Sequence, residues 1–497
     1  MAIHRTLRPS RPGARVGAAC GGLLVVGLLV APAPAAAPTA TATPVAAASA
    51  VSAASVSART TAVSAARIGA AQLGAAQVSA AQVSAAQVGA AQVGAAQVGA
   101  AQVSAAQVSA ASVRGGFTDR RVVKVPNPTA IAFTHGGVML VASQQGRLRV
   151  VRNGKLRTRS AINLTARTCS NAERGLLGVA VDPRPSSDYV YLYWTRKGTA
   201  GCPTSQVRNP KGAPRNRVSR FTLRSNLTIN PKSEKVLLDG IYSPAGNHNG
   251  GDLGFGADGY LYVGAADGGC DYAGNSGCGG ANNASRDRNT LNGKILRITR
   301  TGGIPKSNPY LGASSARCRK APAAKGKVCR ETFARGLCNP FRFAFKPNVT
   351  GTKFRINDVG QNAWEEIDTG KKGADYGWNA REGHCANTGV QSRCGGKAPK
   401  RYTNPVYDYG HSTGCDSITG GAYVPRGVWP KGYNLTYLFA DFICGKIWML
   451  KDGKRKVMVS GLGGPVHLEF GPYRGGQALY YTDYGAGGQV RRLAYTG

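Results

Sequence analysis

The sequence has 497 residues and a formal net charge of +39 at pH 7. Its 42% hydrophobic content is enough for a large core, and its 68 Gly and 26 Pro favour many turns over long helices. The charge suits anionic partners, of which cell-envelope polymers are our candidate. No strand-then-helix phosphate loop or nucleic-acid motif accompanies it, so we predict no nucleic-acid partner.

Residues 1–38 predict a secretory signal peptide. Arginines at 5, 8, 11 and 15 precede the apolar stretch Val16–Val30, and the small-residue run APAPAAAP follows it. Cys20 precedes most of the apolar stretch, which argues against a lipoprotein anchor. No later run is long and apolar enough to span a bilayer. We therefore expect a secreted, extracellular protein.

Residues 39–116 are predicted to be a low-complexity flexible spacer. From Ala71 to Ser109 the unit AAQV(S/G) recurs every five residues, with Gln at 72, 77, 82 and onward to 107. Five residues advance a helix by about 500°, so successive Val side chains do not share one face. A short β-solenoid is the alternative interpretation, although it would bury little by itself.

Residues 117–497 predict one all-β domain. Strands with alternating apolar residues, separated by Gly, Asp or Pro turns, recur as six units. Antiparallel sheets repeated every 50–80 residues or so favour a six-bladed β-propeller, with Arg121–Val125 completing the last blade. The units lie at 129–151, 176–223, 252–299, 341–360, 417–450 and 466–493.

The third unit brings a histidine and an aspartate to the same end of a hairpin. Its turn falls at Ala257-Asp258-Gly259, and His248 and Asp267 are equidistant from that turn. Residues equidistant from a hairpin turn lie opposite each other, so these side chains are expected to meet. An aspartate beside a histidine fixes its tautomer and supports its action as a base. Alternatively, both side chains satisfy loop backbone groups.

The cysteines predict disulfides, as expected for an oxidising compartment. Eleven remain after the signal peptide, which leaves one unpaired. Three pairs flank short loops and two are longer, leaving Cys338 as a free thiol that is either reactive or buried and inert. The predicted pairs are Cys270–Cys278, Cys385–Cys394, Cys318–Cys329, Cys169–Cys202 and Cys415–Cys444.

Acidic and aromatic residues cluster between 358 and 378. The acids Asp358, Glu365, Glu366 and Asp368 are metal-ligand candidates in a chain with only 24 acidic residues. The alternative is that Glu365–Ile367 is simply a blade strand. The aromatic residues are candidates for stacking on a sugar ring or for core packing. They are Trp364, Tyr376 and Trp378.

Several ordered motifs resemble the soluble quinoprotein glucose dehydrogenase family, also called glucose/sorbosone dehydrogenases. They are ERGLLGVAVDP, HNGGDLGFGADGYLYVGAADGG, LNGKILRI, GLCNPFRFAFKP, NDVGQNAWEEID and GADYGWN, and the likeness covers about Pro126–Leu493. SITGGAYV and ADFICGKIW place the chain in a bacterial branch close to hedgehog-interacting-type propellers, which are binding proteins. The resemblance implies a six-bladed propeller that oxidises aldoses at the anomeric carbon with pyrroloquinoline quinone (PQQ) and calcium.

The resemblance also implies roles for individual residues. His248 matches the catalytic base and Asp267 its carboxylate partner, while Asn339 matches a cofactor-contacting asparagine. Gly360 and Gln361 match the positions whose backbone carbonyls hold calcium, a cation that prefers oxygen ligands. The expected partners are a sugar substrate and an external electron acceptor.

This chain departs from the family pattern where cations would hold PQQ. Glu173 stands in place of a glutamine, and Cys338 in place of an arginine that faces the quinone. A lysine position aligns near Ile443, and an arginine pair aligns near Gly464–Val466. PQQ is a tricarboxylate, so these losses should weaken its binding unless other cations compensate. The candidates for compensation are Lys446, Arg342 and Arg335.

Three functions are compatible with these patterns. The first is an exported PQQ-dependent aldose dehydrogenase with His248 as the general base. The second is a cofactor-free propeller that binds carbohydrate or protein at the cell envelope. A lactonase-type hydrolase is the third, but it needs several acidic or amide side chains around one central calcium, and too few acids occupy matching positions.

Overall fold

A computed structural model describes residues 111–203, 212–271, 277–278, 282–387, 394–397 and 399–497. The predicted signal peptide and the AAQV repeat lie outside these residues. Among the described residues no helix is long and apolar enough to cross a membrane. They contain strands and short 3₁₀ turns but no α-helix; the 3₁₀ turns are Thr165–Arg167, Pro231–Ser233, His411–Thr413 and Lys431–Tyr433.

Six antiparallel sheets form the propeller, which confirms the predicted fold class. The first two strands of each blade are consecutive in the chain, and turns such as residues 256–260 reverse the direction between them. Longer segments precede some outer strands, and blades 5 and 6 each receive a strand from the start of the described chain.

The strands of blades 1 to 3, from the axis outward, are as follows. Blade 1 is Pro128–Phe133, Met139–Ser143 and Arg147–Arg152, with short strands Lys155–Leu156 and Ile162–Asn163. Blade 2 is Leu176–Val181, Tyr189–Arg196, Arg215–Thr222 and Lys235–Tyr242. Blade 3 is Gly250–Phe255, Leu261–Ala265, Lys294–Ile298 and Thr332–Arg335.

Blades 4 to 6 follow the same order. Blade 4 is Asn339–Phe345, Phe354–Val359, Trp364–Thr369 and Tyr407–Gly410. Blade 5 is Ile418–Tyr423, Tyr437–Asp441, Lys446–Lys451, Lys454–Ser460 and Ser112–Val113. Blade 6 is Pro465–Tyr473, Gly476–Asp483, Gln489–Tyr495 and Phe117–Lys124. Outside the blades lie the small strands Cys270–Asp271, Gly277–Cys278, Ser315–Ala316, Val328–Cys329, Arg381–Glu382, Cys385–Asn387 and Cys394–Lys397.

The ring is closed by strands from both ends of the described chain. Phe117–Lys124 pairs antiparallel with Gln489–Tyr495, so the predicted closure by Arg121–Val125 is correct, although the strand begins earlier. Arg491 and Asp119 form an ion pair across this junction at 2.6 Å. Ser112–Val113 pairs with blade 5, so two residues that the sequence assigned to the spacer belong to a sheet.

The core consists of separate apolar layers, one between each pair of neighbouring blades. Between blades 1 and 2, for example, Leu140 and Val150 pack with Leu192 and Trp194, all fully buried. Burying one such side chain stabilises the fold by about 1.5–3 kcal/mol. This packing holds the innermost strands of the six blades side by side in a ring.

The innermost strand of every blade is irregular near its first residues. Each contains a register shift in its pairing with the second strand, located between Pro128 and Ala130, Leu176 and Gly178, Gly250 and Leu253, Pro340 and Arg342, Ile418 and Gly421, and Pro465 and His467. Such bulges bend a strand and redirect its side chains. All six lie at the same end of the ring, which is therefore the end where side chains leave the regular sheet pattern.

Disulfides tie down the loops between strands. Cys169–Cys202, Cys318–Cys329 and Cys415–Cys444 are bonded as predicted, and Cys338 is the free cysteine among the described residues. Cys270 and Cys385 are also in disulfides, while the side chains of their predicted partners lie outside the described part.

A cavity of about 390 Å³ occupies the ring at the end opposite the bulges. Asp252 and Glu469 lie in its wall, together with aromatic residues such as Phe255 and Phe345. Burial and the neighbouring Asp252 charge raise the pKa of Glu469 to about 8, and burial raises that of Asp252 to about 6. Both acids are thus held in a setting that disfavours their ionised forms.

We expect Glu469→Gln to stabilise the protein at alkaline pH. The folded protein holds the Glu469 proton more tightly than the unfolded chain, where the pKa is near 4.5. The resulting stabilisation of the folded protein is complete below pH 4.5 and is lost as the pH rises through about 8. Wild type should lose up to about 1.4 kcal/mol per pH unit in this window relative to the variant. Denaturant unfolding at pH 4.5, 6.5 and 8.5 measures the difference in unfolding free energy between the two proteins. A difference that is the same at all three pH values would refute the raised pKa of Glu469.

Candidate active site

The structure brings His248 and Asp267 together at the bulged end of blade 3. His248 Nδ1 lies 2.8 Å from Asp267 Oδ1, and the backbone N–H of Gly268 donates to the carbonyl of His248. Gly250 pairs with Ala265 in the adjoining strands, which gives the register expected from the hairpin turn. His248 has a φ of 50°, in the left-handed region that non-glycine residues enter infrequently. The backbone is thus held in an uncommon conformation that sets the direction of this imidazole.

Asp267 is fixed by two further donors. Trp378 Nε1 donates to Asp267 Oδ2 at 2.7 Å, and the backbone N–H of Gly269 donates to Oδ1 at 2.8 Å. Both oxygens are engaged and the residue is fully buried. The carboxylate therefore orients the imidazole through Nδ1 and leaves Nε2 free of this contact. Trp378, which the sequence offered for sugar stacking or for core packing, is an anchor for Asp267.

Three carboxylates act on the His248 imidazole. Burial alone would lower its pKa, but Asp267, Glu173 and Asp358 together raise the pKa to about 9. A histidine with this pKa is mostly protonated at neutral pH, and its basic form increases as the pH approaches 9.

Glu173 and Asn339 form the neighbouring part of the site. Asn339 Nδ2 lies 3.4 Å from Glu173 Oε2, and Asn339 Oδ1 accepts from the backbone N–H of Gly250 at 3.1 Å. Burial raises the pKa of Glu173, while the charge of His248 and the backbone N–H groups of Asn249 and His248 oppose that shift. Glu173, Asn339 and His248, which lie far apart in the sequence, are thus neighbours in the structure.

Cys338 is buried beside the histidine. Its Sγ lies 3.7 Å from His248 Nδ1, and its backbone N–H donates to Asp358 Oδ2 at 2.9 Å. Burial, followed by the charges of Asp267 and Asp358, raises the pKa of the Cys338 thiol well above its usual value. The thiol is therefore protonated at neutral pH, which supports the inert alternative over the reactive one.

A cavity of about 320 Å³ opens at the same end of the ring, within the size range of small-molecule sites. Glu173 and Asn339 line it, as does Gly250, two residues after His248. His248 itself is not a lining residue and is 7% exposed. The cavity's other walls come from Thr129, Gln144, Ala172, Leu177, Phe341, Arg342, Val359, Ser417, Thr419, Phe442, Ile443, Val466 and Tyr484.

The lining carries one basic side chain, Arg342, among the described residues. Ile443 and Val466, aligned near positions where the resemblance expects cations, do line the cavity. The Arg342 guanidinium donates to the backbone carbonyls of Phe341 and Thr129, both at 2.7 Å. Much of its hydrogen-bonding capacity is thus used within the protein. Of the other two candidates, Arg335 forms an ion pair with Asp375, and neither Arg335 nor Lys446 lines this cavity.

The loop containing Gly360 and Gln361 curls around a carboxylate. Glu382 Oε1 accepts backbone N–H groups from Gln361, Asn362, Ala363 and Trp364, at 2.8–3.1 Å. Within one peptide unit the N–H and C=O point in opposite directions. The carbonyls of Gly360 and Gln361 therefore face away from Glu382, where they are available as ligands for a hard cation. A Cβ at Gly360 would collide with the Trp364 carbonyl and with Glu382, so this turn requires glycine.

The acidic residues near this loop belong to a strand, as the alternative interpretation stated. Glu365, Glu366 and Asp368 lie in Trp364–Thr369 and are buried. Glu365 is bonded to His411 Nε2 and to the backbone N–H of Ile418, both at 2.8 Å. Asp358 supports Cys338 and Asn339 through their backbone N–H groups. These contacts give Glu365 and Asp358 structural roles within and beside blade 4.

Fold and site together define a six-bladed propeller with a buried His–Asp pair beside a cavity at one end of its axis. The family model "Glucose / Sorbosone dehydrogenase" matches residues 125–427, more than half of the chain. The chain therefore belongs to the glucose/sorbosone dehydrogenase family, as its motifs indicated.

Two curated relatives are similar to this chain over part of its length. The HIPL2 protein of Arabidopsis thaliana is 31% identical over 250 residues, which cover 45% of this chain and 32% of that protein. The aldose sugar dehydrogenase YliI of Escherichia coli K12 is 27% identical over 263 residues, covering 51% and 59%. The matched segments thus span less than two thirds of either relative.

A solved structure shares the fold. The PQQ-bound form of the aldose sugar dehydrogenase from Streptomyces coelicolor superposes with a TM-score of 0.56 at 22% identity, covering 77% of this chain and 99% of that one. At this identity the likeness concerns the propeller architecture.

Proposed function

We propose that this protein is an exported PQQ-dependent dehydrogenase that oxidises an aldose at its anomeric carbon. The observation that carries the proposal is the buried His248–Asp267 pair, 2.8 Å apart, beside a cavity lined by Glu173 and Asn339. Membership of the family and the relative named aldose sugar dehydrogenase support the same reaction class.

The protein's own residues would supply proton transfer and orientation. In its neutral form, which increases as the pH approaches 9, His248 would take the proton of the anomeric hydroxyl at Nε2. Asp267 would stabilise the resulting imidazolium through Nδ1. Trp378 and Gly269 hold Asp267 in place, so the imidazole keeps one orientation during the reaction. A sugar would be the substrate, and an external acceptor would reoxidise the cofactor.

The residues fit the proposed cofactors in size and in calcium ligands, but less well in charge. PQQ, when bound with calcium, supplies the hydride acceptor of this reaction. Gly360 and Gln361 would hold calcium through their outward-facing carbonyls, and Asn339 would contact PQQ. Glu173 adds an acidic group to a cavity whose single lining cation, among the described residues, is Arg342. We therefore expect calcium-dependent PQQ binding that is weaker than a cation-rich cavity would give.

Calorimetric titration with PQQ, with and without calcium, tests the cofactor assignment. Dye-linked oxidation of a panel of aldoses after addition of both cofactors tests the reaction. We expect binding that requires calcium, and oxidation of at least one aldose. Absence of PQQ binding at millimolar concentration, or absence of oxidation despite binding, would overturn the proposal.

A second function is favoured by a specific observation. Ile443, Val466 and Cys338 stand where the family resemblance expects cations, and a HIPL-type relative is 31% identical. A cofactor-free propeller that binds carbohydrate or protein at the cell envelope would need no anion-binding cavity. In that case PQQ would not bind, while immobilised anionic envelope polymers would retain the protein at low salt.

A further inference from the structure

Three side chains of different elements place metal-binding atoms around one point. They are His248 Nδ1, an Asp267 carboxylate oxygen and Cys338 Sγ, all buried and all within 4.8 Å of one another. His248 precedes the first strand of blade 3, Asp267 follows the second, and Cys338 precedes the first strand of blade 4. Imidazole, carboxylate and thiolate are the ligand types of zinc sites.

The spacing matches a tetrahedral centre. A nitrogen about 2.0 Å and a sulfur about 2.3 Å from a tetrahedral zinc lie about 3.5 Å apart. The distance from His248 Nδ1 to Cys338 Sγ is 3.7 Å. Nδ1 and Asp267 Oδ1 are 2.8 Å apart, closer than two zinc ligands, because a hydrogen bond joins them. A small outward shift of Asp267 would complete three ligand positions.

The surrounding charge favours a cation. After burial, the strongest charge influences on the Cys338 thiol come from Asp267, Asp358, Glu382 and Glu365, and all are carboxylates. Those acting on His248 come from Asp267, Glu173 and Asp358. The site therefore places one imidazole among several acids whose pKa values burial raises, and a divalent ion bound there would favour their ionised forms.

Neighbouring groups orient two of the ligands. Trp378 Nε1 donates to Asp267 Oδ2, and Asp358 Oδ2 accepts the backbone N–H of Cys338. Losing such a contact commonly lowers the affinity for the metal by about 10-fold to 100-fold. A site with oriented ligands and several neighbouring carboxyl groups is more than a chance group of polar side chains.

We propose that His248, Asp267 and Cys338 form a binding site for one thiophilic divalent transition ion, of which zinc is the representative. Binding displaces the protons on Nδ1 and Sγ, which pass to the solvent, and no electrons are transferred. The ion would take Nδ1 away from its hydrogen bond with Asp267. Bound zinc and the dehydrogenase arrangement of His248 therefore exclude each other.

Cobalt is the spectroscopic probe for this site. The full chain carrying Cys20→Ser, freed of metal with a chelator, is titrated with Co²⁺ in the absence of PQQ and sugar. Since Cys338 is the free cysteine among the described residues, a thiolate-to-cobalt absorption band reports on it. We expect one equivalent per chain, the visible bands of tetrahedral cobalt, and loss of all bands when Zn²⁺ is added.

Variants decide whether the band comes from this site. Cys338→Ser should abolish the thiolate band, and Trp378→Phe should keep it while weakening cobalt binding about 10-fold to 100-fold. His384→Gln, which changes an exposed histidine paired with Asp408, should change nothing. Circular dichroism verifies that each variant is folded.

The outcomes separate this proposal from the dehydrogenase proposal. Absence of a thiolate band in the folded protein, or a band that persists in Cys338→Ser, would overturn the metal site whatever the enzyme assay shows. A thiolate band that saturates at one equivalent of cobalt, in a protein that oxidises no sugar, would support the metal site and contradict the dehydrogenase proposal. If both activities exist, equimolar zinc should inhibit sugar oxidation, and a chelator should restore it.

Discussion

Replacing His248 with Gln is expected to lower kcat for aldose oxidation by about 1,000-fold, within the range that general-base catalysis contributes. Glutamine fills similar space but cannot accept the hydroxyl proton at neutral pH. Because His248 does not line the cavity, PQQ affinity should change little. Steady-state assays with saturating calcium and PQQ measure kcat, and calorimetry measures the affinity.

The matched control for this prediction is His384→Gln. His384 also pairs with an aspartate, at 2.6 Å from Asp408, but its side chain is 58% exposed and lies outside the site. This variant should retain wild-type kcat. If His248→Gln kept more than about a tenth of wild-type kcat, His248 would not be the base, and the proton would have to be taken by another group.

Changing Glu173 to Gln should tighten PQQ binding about tenfold. The substitution replaces an acidic group of the cavity wall with a neutral amide of the same size, and its Oε1 can still contact Asn339. Removing a repulsion of about 1.4 kcal/mol with the cofactor carboxylates corresponds to that factor. Calorimetric titration at two salt concentrations measures the change, which should shrink as salt rises.

Glu234→Gln provides the same change in charge far from the cavity. Glu234 forms its ion pairs with Arg167 and Arg217 on the outer part of blade 2. The Glu234→Gln variant should leave the affinity for PQQ unchanged. Equal effects of the two variants would show that net charge matters more than the cavity wall, and weaker binding by Glu173→Gln would assign Glu173 a direct role in holding the cofactor.

The parts of the fold that are local in sequence were predictable. Period-2 alternation and turn residues determine each hairpin, so six blades follow from the chain itself. The same hairpin geometry placed His248 opposite Asp267, and the distance of 2.8 Å agrees with it. Disulfides between cysteines flanking short loops were predictable for the same reason.

The supports of the site were not predictable, because they join distant segments. Trp378 is 111 residues from Asp267, and Glu382 lies about 20 residues after the N–H groups that it accepts. Nothing in the sequence near either residue specifies its partner. The pairing of Ser112–Val113 with blade 5 was missed for a different reason, since Ala- and Ser-rich composition masked a two-residue strand.

The junction between Phe117–Lys124 and Gln489–Tyr495 has a consequence for biosynthesis. Asp119 and Arg491, which pair across it, are separated by 372 residues. A ribosome adds residues at about 5–20 per second, so the early strand waits tens of seconds for its partner. During that time it presents an unpaired edge that can associate with other chains. Premature termination before residue 489 would leave this edge permanently open, which makes truncated translation products prone to aggregate.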